Sequence, residues 1–217
     1  MGFTADPLIL APREHHLYVL LVRRTEEPQK GRWALPGGFV SRDETPLQTA
    51  QRKLTEKTGV GELYLEQLAT FGDPGRDPRG WIPSIAYLAL THAVQLADTE
   101  NAGWFPVRQL PPMAFDHAAM VAMGVERLSG KLWWSNIAFG LLPARFTMRD
   151  ARELFESITE TRLDPSNFRR ELERSGMVQR LGQVLKDGPG RPAPLYEFKE
   201  RQLAWIPGRL RPTRKRS

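Results

Sequence analysis

The chain of 217 residues contains no cysteine, which excludes disulfide bonds, thiolate catalysis and cysteine-based zinc sites. No apolar run approaches the ~18–20 residues of a membrane-spanning helix, and the N-terminus lacks a signal-peptide pattern. The histidines, at positions 15, 16, 92 and 117, have no acidic or cysteine partners at metal-ligand spacing. His117, beside Asp116, is predicted to be a structural hydrogen-bonding residue. These absences predict a soluble, cytoplasmic protein with no membrane partner and no metal site.

Acidic residues are outnumbered by basic residues in the second half of the chain. From Leu141 onward there are 17 Lys and Arg against 10 Asp and Glu, whereas the first 140 residues carry 14 against 15. The net charge of +6 therefore arises from the second half, partly from the terminal stretch Arg209–Ser217. A basic half joined to a nearly neutral half predicts contact with a polyanion through the basic half.

The stretch Gly31–Val60 combines a strand end, a glycine turn and an amphipathic helix. Gly37 and Gly38 allow backbone conformations that residues with a Cβ resist. The helix pattern has a capping-box start with proline at the first position, an apolar face and a C-cap glycine, contributed by Thr45, Pro46, Gln48, Leu47, Ala50, Leu54 and Gly59. The sequence therefore predicts a strand–turn–helix unit here.

This stretch resembles the Nudix box, whose pattern is G-x5-E-x7-R-E-U-x-E-E-x-G-U with U an aliphatic residue. The matching positions are Gly38, Glu44, Arg52, Leu54, Glu56, Gly59 and Val60. At two positions where the family has glutamates, this chain has Lys53 and Lys57. An ordinary core-packing helix with a solvated charged face would explain the periodicity, but not the glycine pair together with the Arg52–Glu56 spacing.

The two lysines bear directly on catalysis. Positions 53, 56 and 57 are three and four residues apart and share one helix face. The resemblance implies that active members carry carboxylates on this face, which hold Mg²⁺ against a diphosphate. Mg²⁺ prefers oxygen ligands, whereas an ammonium group has only hydrogen-bond donors. We therefore predict that hydrolysis is lost, with no catalytic residue, no bound metal and no required cofactor.

The rest of the first half contains strands followed by a helix. Apolar or alternating runs predict strands over Leu17–Arg23, Trp33–Leu35, Tyr64–Phe71, Ile82–Leu90 and Ala102–Val107. Helical spacing predicts a helix over Phe115–Ser129, and the glycine- and proline-rich segment Gly72–Trp81 is predicted to be a loop. The fold class is therefore α+β, with a Nudix-fold α/β/α sandwich over residues 1–135.

The second half has the element order of a winged helix-turn-helix domain. Helices are predicted over Phe146–Ile158, with Thr147 as N-cap, and over Leu163–Ser175, with Asp164 as N-cap. Strands follow at Val178–Leu185 and Leu195–Lys199. Two short helices and a β-hairpin predict a winged helix over residues 136–217, ending in a basic tail.

Nearly the whole chain beyond its first residues resembles the NrtR-type transcriptional regulators, which join a Nudix-fold sensor to a winged helix. The segments that carry the resemblance are Arg32–Val40, Leu65–Gly80, Ala114–Ala118, Leu141–Thr147, Asn167–Leu172 and Gly190–Phe198. The resemblance implies repression of genes for pyridine nucleotide or sugar metabolism. It also implies a nucleotide-like effector, often ADP-ribose, and frequent loss of hydrolysis.

The candidate DNA-binding residues lie mainly at the start of the second helix of the winged helix, the end that enters the major groove in helix-turn-helix proteins. Asn167 and Arg169 are predicted to contact bases, because arginine suits guanine and asparagine suits adenine, and Arg170 to contact phosphate. A solvated basic helix face is the alternative. Arg191 in the wing is predicted to contact phosphate or the minor groove. The full set is Thr147, Ser166, Asn167, Arg169, Arg170 and Arg191.

The candidate effector-binding residues come from the stretch Gly31–Val60, from the end of the predicted strand Tyr64–Phe71 and from the loop that follows it. The loop arginines are predicted to bind phosphates. The two box lysines are predicted to contact phosphates directly, where the metal would otherwise lie. The aromatic residues are predicted either to stack on adenine or to pack in the core. The lysines alternatively face solvent or pair with Glu56. The full set is Arg32, Trp33, Lys53, Glu56, Lys57, Phe71, Arg76 and Arg79.

These observations together predict a transcriptional repressor with an inactive Nudix sensor for an ADP-ribose-like nucleotide. We expect a homodimer that binds an inverted repeat in double-stranded operator DNA. The alternative is a Nudix hydrolase of ADP-ribose-type nucleoside diphosphate derivatives with displaced catalytic carboxylates. Such an enzyme would use Glu44, Glu56 and a glutamate from elsewhere.

Overall fold

The computed structural model describes residues 2–58, 64–92, 100–186, 192–206 and 208–211, with positions 57 and 58 described by their backbone alone. The chain divides into two compact units. Unit 1 consists of Met1–Arg13 and Leu17–Arg127, and unit 2 consists of Glu14–His16 and Leu128–Ser217. The domain boundary after residue 135 stays a prediction.

Unit 1 is built on one mixed sheet. Its elements, in chain order, are β1 (Thr4–Arg13), β2 (His16–Arg23), β3 (Trp33–Ala34), β4 (Gly38–Phe39), α1 (Pro46–Thr58), β5 (Tyr64–Phe71), β6 (Ser84–Leu90), β7 (Ala102–Pro106) and α2 (His117–Lys131). The sheet order is β3-β2-β1-β6-β5, with β4 on β1 and β7 on β2. β1 runs parallel to β6, and the pairings of β1 with β4, of β2 with β3 and with β7, and of β5 with β6 are antiparallel.

The two helices of unit 1 cover opposite faces of this sheet. Leu54 of α1 packs in a buried cluster with Ile9 of β1. On α2, a Cβ at Gly124 would collide with the side chain of Leu8, so the helix backbone lies close to β1 there. Because successive strand residues point to opposite faces, Leu8 and Ile9 place α1 and α2 on different sides. The predicted α/β/α sandwich is confirmed.

Unit 2 contains the winged helix. Its elements are a short 3-10 helix (Ile137–Gly140), β8 (Phe146–Thr147), α3 (Met148–Thr159), α4 (Pro165–Arg174), β9 (Val178–Leu185) and β10 (Ala193–Phe198), with sheet order β8-β10-β9. Phe155 of α3 contacts Phe168 of α4 edge to face, with ring centroids 5.1 Å apart. Phe146 and Phe198 join β8 to β10 at 5.1 Å. The predicted winged helix-turn-helix is confirmed.

Within unit 2, the segment after β10 packs against residues that follow α2 in the chain. The Asn136 side chain donates to the carbonyls of Glu200 and Gln202 at 3.1 and 2.9 Å and accepts the Ala204 N–H at 2.7 Å. Trp134 stacks on Trp205, with centroids 4.3 Å apart. The terminal residues 212–217 lie outside the described part of the chain. No helix within the described ranges has the length and apolar character needed to cross a membrane.

Candidate nucleotide and nucleic-acid sites

The polar face of α1 is held together by ion pairs within the box. The helix starts as predicted, with reciprocal hydrogen bonds between Thr45 and Gln48. Arg52 then donates from Nε and Nη2 to the two carboxylate oxygens of Glu44, each at 2.7 Å, and Thr49 donates to the same group at 2.8 Å. Hydrogen bonds from Arg52 and then Thr49 lower the pKa of Glu44 to about 2. Glu44 is therefore a fixed, ionised partner of Arg52.

Position 53, where the box has a glutamate, carries a lysine that forms an ion pair with a glutamate of the same helix. Lys53 Nζ donates to Glu56 Oε2 at 2.9 Å, and Arg52 Nη1 donates to Glu56 Oε1 at 3.1 Å. An ammonium group cannot ligate a cation, and Glu56 is neutralised by two donors. The described residues contain no group of three or more His, Cys, Asp or Glu side chains able to hold a metal ion. The side chains described on this face do not fit a helix-bound Mg²⁺; the side chain of Lys57 lies outside the description.

A cavity of about 220 Å³ lies in unit 1, between the glycine turn, the loop after β5 and the start of α2. Arg76 is one of its lining residues and is almost fully buried, with only 4% of its side chain exposed. Its Nε and Nη2 donate to Asp116 at 2.9 and 2.6 Å, and its Nη1 donates to the carbonyl of Ile82 at 2.8 Å. All three guanidinium nitrogens of Arg76 therefore donate hydrogen bonds within the protein, and they fix the loop after β5 to the start of α2.

Arginine side chains and phenylalanine rings alternate along one wall of the cavity. The guanidinium of Arg24 lies 4.9 Å from the ring centroid of Phe115, and that of Arg79 lies 5.9 Å from the same ring. Arg79 also covers Phe39 at 5.2 Å, and Phe39 itself is 48% exposed. Phe115 has a positive φ of 52°, a conformation that bulky residues adopt where surrounding contacts hold them. Positive charge beside two phenylalanine rings, of which that of Phe39 is exposed, suits a ligand with phosphates and an aromatic base.

Arg79 is oriented by a buried carboxylate. Its Nε and Nη2 donate to the two oxygens of Asp77 at 3.0 and 2.7 Å, and Asp77 is only 3% exposed. The hydrogen bond from Arg79 is the main reason that the pKa of Asp77 is lowered. Nη1 of Arg79 has no hydrogen-bonding partner among the described residues. This nitrogen therefore remains available to an acceptor in the cavity.

Another wall of the cavity is formed by Asp6 and His117. Asp6 accepts hydrogen bonds from Thr4, at 2.8 Å, and from Ser84. A Cβ at Gly37 would strike the Asp6 carboxylate and lie 2.9 Å from the Ala5 carbonyl, so only glycine fits beside this group. His117 Nδ1 accepts the backbone N–H of Leu35 at 2.9 Å, as expected of a structural histidine. Burial is the main reason that the pKa of His117 is lowered.

Only some of the predicted effector residues meet at this cavity. Arg76 and Arg79 line it. Trp33 instead packs edge-on against Phe105, with centroids 4.6 Å apart, and exposed Arg32 donates to the Met113 carbonyl at 3.3 Å. The other predicted positions with described side chains, Lys53, Glu56 and Phe71, are not among the lining residues.

Sequence reasoning missed several residues of the cavity. The principal ones are Asp6, Arg24, Phe39 and Phe115. Phe39 and Phe115 belong to segments that carry the family resemblance, Arg32–Val40 and Ala114–Ala118, and this was the one available indication. Arg24 follows a strand directly, like many solvated arginines, so nothing local marked it.

The α4 helix of unit 2 presents a basic, exposed face. Asp164 caps it by accepting the Asn167 N–H at 2.8 Å, and Pro165 occupies the first turn, both as predicted. Phe168, Leu172, Asn167 and Glu171 are buried on one side. The other side exposes residues at i, i+3, i+4 and i+7 spacing, namely Ser166, Arg169, Arg170 and Glu173. These four residues therefore share one exposed face of the helix.

The predicted DNA-binding residues fall into different environments. Ser166, Arg169 and Arg170 are exposed on α4. Asn167 is only 7% exposed, and Thr147 is buried as the N-cap of α3, where its side chain and that of Asp150 form a capping box. Arg191 lies outside the described residues. Among the described members of this set, the exposed arginines are Arg169 and Arg170.

Comparison with known proteins links both units to one family. The NUDIX domain model matches residues 4–123, and the NrtR DNA-binding winged helix domain model matches residues 138–198. The chain is 36% identical, over 90% of its length and 81% of the relative's, to the ADPR responsive transcriptional repressor NtrR of Acinetobacter baylyi.

Solved structures agree with this result. Shewanella oneidensis NrtR complexed with a 27mer DNA has a TM-score of 0.82 and 35% identity, covering 91% of this chain and 93% of that one. The NUDIX domain of the same NrtR complexed with ADP ribose has a TM-score of 0.51 and 41% identity, covering 58% and 87% of the two chains. With a Nudix-fold unit followed by an NrtR winged helix, the chain belongs to the NrtR family of transcriptional regulators.

Proposed function

We propose that this protein is a transcriptional repressor that binds operator DNA through α4 and its wing. The observation that carries the proposal is the exposed arginine face of α4, in a chain similar over 91% of its length to an NrtR bound to DNA. Arginine donors on a helix of this kind suit both phosphates and guanine edges in the major groove. The protein then acts on the chromosome in the cytoplasm, at genes of pyridine nucleotide or sugar metabolism.

The effector is ADP-ribose or a similar nucleotide, bound at the cavity of unit 1. Arg24 and Arg79 supply positive charge for the diphosphate, and the exposed ring of Phe39 supplies a stacking face for the base. The cavity of about 220 Å³ is smaller than the ~300–1,000 Å³ of pockets that enclose a whole small ligand. Part of the nucleotide therefore lies over the rim, where Phe39 is exposed. The resemblance of unit 1 to a NUDIX domain complexed with ADP ribose supports this assignment.

The Nudix unit senses the nucleotide without hydrolysing it. Lys53 stands where the box has a glutamate, and its ammonium group neutralises Glu56 instead of contributing to a metal site. Glu44 is fully engaged by Arg52 and Thr49. No metal and no cofactor is then required for effector binding.

The test combines DNA binding, effector binding and turnover in one series. Fluorescence anisotropy on DNA from upstream of the protein's own gene should show saturable binding that changes on addition of ADP-ribose in EDTA, but not of AMP or ribose 5-phosphate. Chromatography of ADP-ribose incubated with the protein and Mg²⁺ or Mn²⁺ should show no AMP. DNA binding that is unresponsive to ADP-ribose overturns the effector assignment. Metal-dependent turnover of ~1 s⁻¹ or more identifies a hydrolase instead.

A further inference from the structure

Asn167 occupies a position that is costly for an amide side chain. It is only 7% exposed, on the side of α4 that packs against the domain core. Its Nδ2 is buried and has no hydrogen-bonding partner among the described residues. A buried donor without a partner destabilises a fold, and an apolar residue of similar size avoids that cost. The amide is therefore not explained by packing or by stability.

The oxygen of the same amide makes one specific contact. Asn167 Oδ1 accepts a hydrogen bond from Nη2 of Arg170, one turn further along the helix. The reverse orientation of the amide is excluded, because it would place the NH₂ group of Asn167 against a guanidinium that can only donate. The buried amide of Asn167 thus orients the guanidinium group of Arg170 through this hydrogen bond, while the Arg170 side chain is exposed.

The neighbouring arginine is not held in this way. Arg169 is exposed, and its side chain has no hydrogen-bonding or ion-pair partner within the described ranges. The two arginines therefore differ in their freedom, although they are adjacent and carry the same charge. An arginine with a fixed guanidinium plane can match two acceptors on one base edge, whereas a free arginine gives a charge without a fixed direction.

We propose that Arg170 is the side chain of α4 that reads a base, that Asn167 is its positioning residue, and that Arg169 contacts backbone phosphate. The base is one with two acceptors side by side in the major groove, which is guanine. This assignment rests on the proposed operator-binding function. It reverses the roles that the sequence alone suggested for Asn167, Arg169 and Arg170.

The decisive experiment is a double-mutant cycle measured on two DNAs. Affinities are determined by anisotropy for the upstream fragment and for a shuffled fragment of the same composition. Asn167→Ala and Arg170→Ala should each reduce the preference for the upstream fragment by roughly 10-fold or more, and Asn167→Ala should leave binding to shuffled DNA unchanged. In the Arg170→Ala background, Asn167→Ala should have no further effect.

Charge-preserving variants give the matched control. Arg170→Lys should lose the preference because lysine lacks the planar fork, whereas Arg169→Lys should keep it. Thermal unfolding of Asn167→Leu, in which the new side chain is apolar and of similar size, should occur at or above the wild-type midpoint, because an unsatisfied buried donor has been removed. A side chain with a merely structural role would instead lose stability and binding to both DNAs together.

The possible outcomes distinguish failure of the proposed operator-binding function from failure of the roles assigned to Asn167 and Arg170. If the wild type has no preference for the upstream fragment, the proposed function and this assignment are both overturned. If the wild type has the preference and Asn167→Ala and Arg170→Lys retain it, this assignment alone is overturned. An undiminished effect of Asn167→Ala in the Arg170→Ala background also overturns it.

Discussion

At the residue scale, His117 connects the cavity of unit 1 to the pH dependence of the stability of that unit. The residue is 4% exposed, and its Nδ1 accepts the Leu35 N–H, so it is neutral in the folded protein. Burial is the largest effect on its pKa and lowers it. Among its charged neighbours, the carboxylates of Asp6 and Asp116 act in the opposite direction, and Arg76 and Arg24 lower the pKa further. The folded state therefore binds a proton at this site less readily than the unfolded chain does.

The consequence is a loss of stability on mild acidification. Stability linked to His117 should be fully present above its unfolded pKa of about 6.5, and should fall as the pH drops from there toward the lowered folded value. We expect the thermal midpoint of the wild type to decline between about pH 7 and pH 5, and that of His117→Gln to decline less. His16→Gln, at an exposed position, is the control and should follow the wild type. Parallel curves for all three proteins would refute the role of His117.

Two arginines differ between the effector-binding residues predicted from the sequence and the residues that line the cavity. Arg32 was predicted to bind the effector but is exposed and outside the cavity lining, whereas Arg24 was not predicted and lies against Phe115 in the cavity. Arg24→Gln should weaken ADP-ribose binding about 10-fold or more in calorimetric titration, because a charged donor to the diphosphate is lost. The matched variant Arg32→Gln should leave the affinity unchanged. The opposite ranking would restore the sequence-based assignment.

The difference between the two arginines shows why the site was only partly predictable. The box and the loop after β5 were found because their residues are close in sequence or fall in recognisable segments. Arg24, Phe39 and Phe115 come from three separate segments of the chain, and only the folded unit brings them together. Trp33 was ambiguous for the same reason, since its contact with Phe105 depends on the pairing of β3 and β7 with β2.

At the scale of elements, the predictable parts were those with a strong period or a clear cap. Strand β5 and strand β9 have the predicted bounds, and α3 and α4 begin at the predicted caps Thr147 and Asp164. β1 was missed, although it is central in the sheet, because two prolines interrupt the apolar run of Thr4–Arg13. Its Pro7 faces Tyr87 across a parallel pairing. The pairing of β1 with β6 over Thr4–Leu10 shows that the sheet accommodates Pro7, and the sequence alone does not reveal this pairing.

The start of α3 gives a prediction about stability rather than recognition. Thr147 Oγ1 accepts the Asp150 N–H at 3.2 Å, and Asp150 accepts the Thr147 N–H at 2.8 Å. Thr147→Ala should therefore lower the free energy of unfolding by about 1 kcal/mol, whereas Thr147→Ser should retain most of it. At a temperature where both variants are folded, operator affinity should match the wild type. A loss of affinity without a loss of stability would support the DNA-binding role that the sequence suggested for Thr147.

At the scale of the whole molecule, one winged helix recognises only a short DNA sequence. The α4 helix has ten residues, of which Ser166, Arg169 and Arg170 are exposed near its start, so a single copy contacts only a few base pairs. The excess positive charge of the second half strengthens binding to any DNA but adds no preference for sequence. Two copies related by a two-fold axis would double the sequence that is read.

We therefore expect a homodimer that binds two half-sites on the same side of the duplex. Sedimentation at micromolar concentration should give a dimer, and an isolated half-site should bind much more weakly than the complete operator. Inserting about five base pairs between the half-sites should abolish tight binding by rotating one of them to the far side of the helix, and inserting about ten should restore part of it. If the protein sediments as a monomer and binds a single half-site with full affinity, the helical phase of the insertions will have no effect and the dimer model fails.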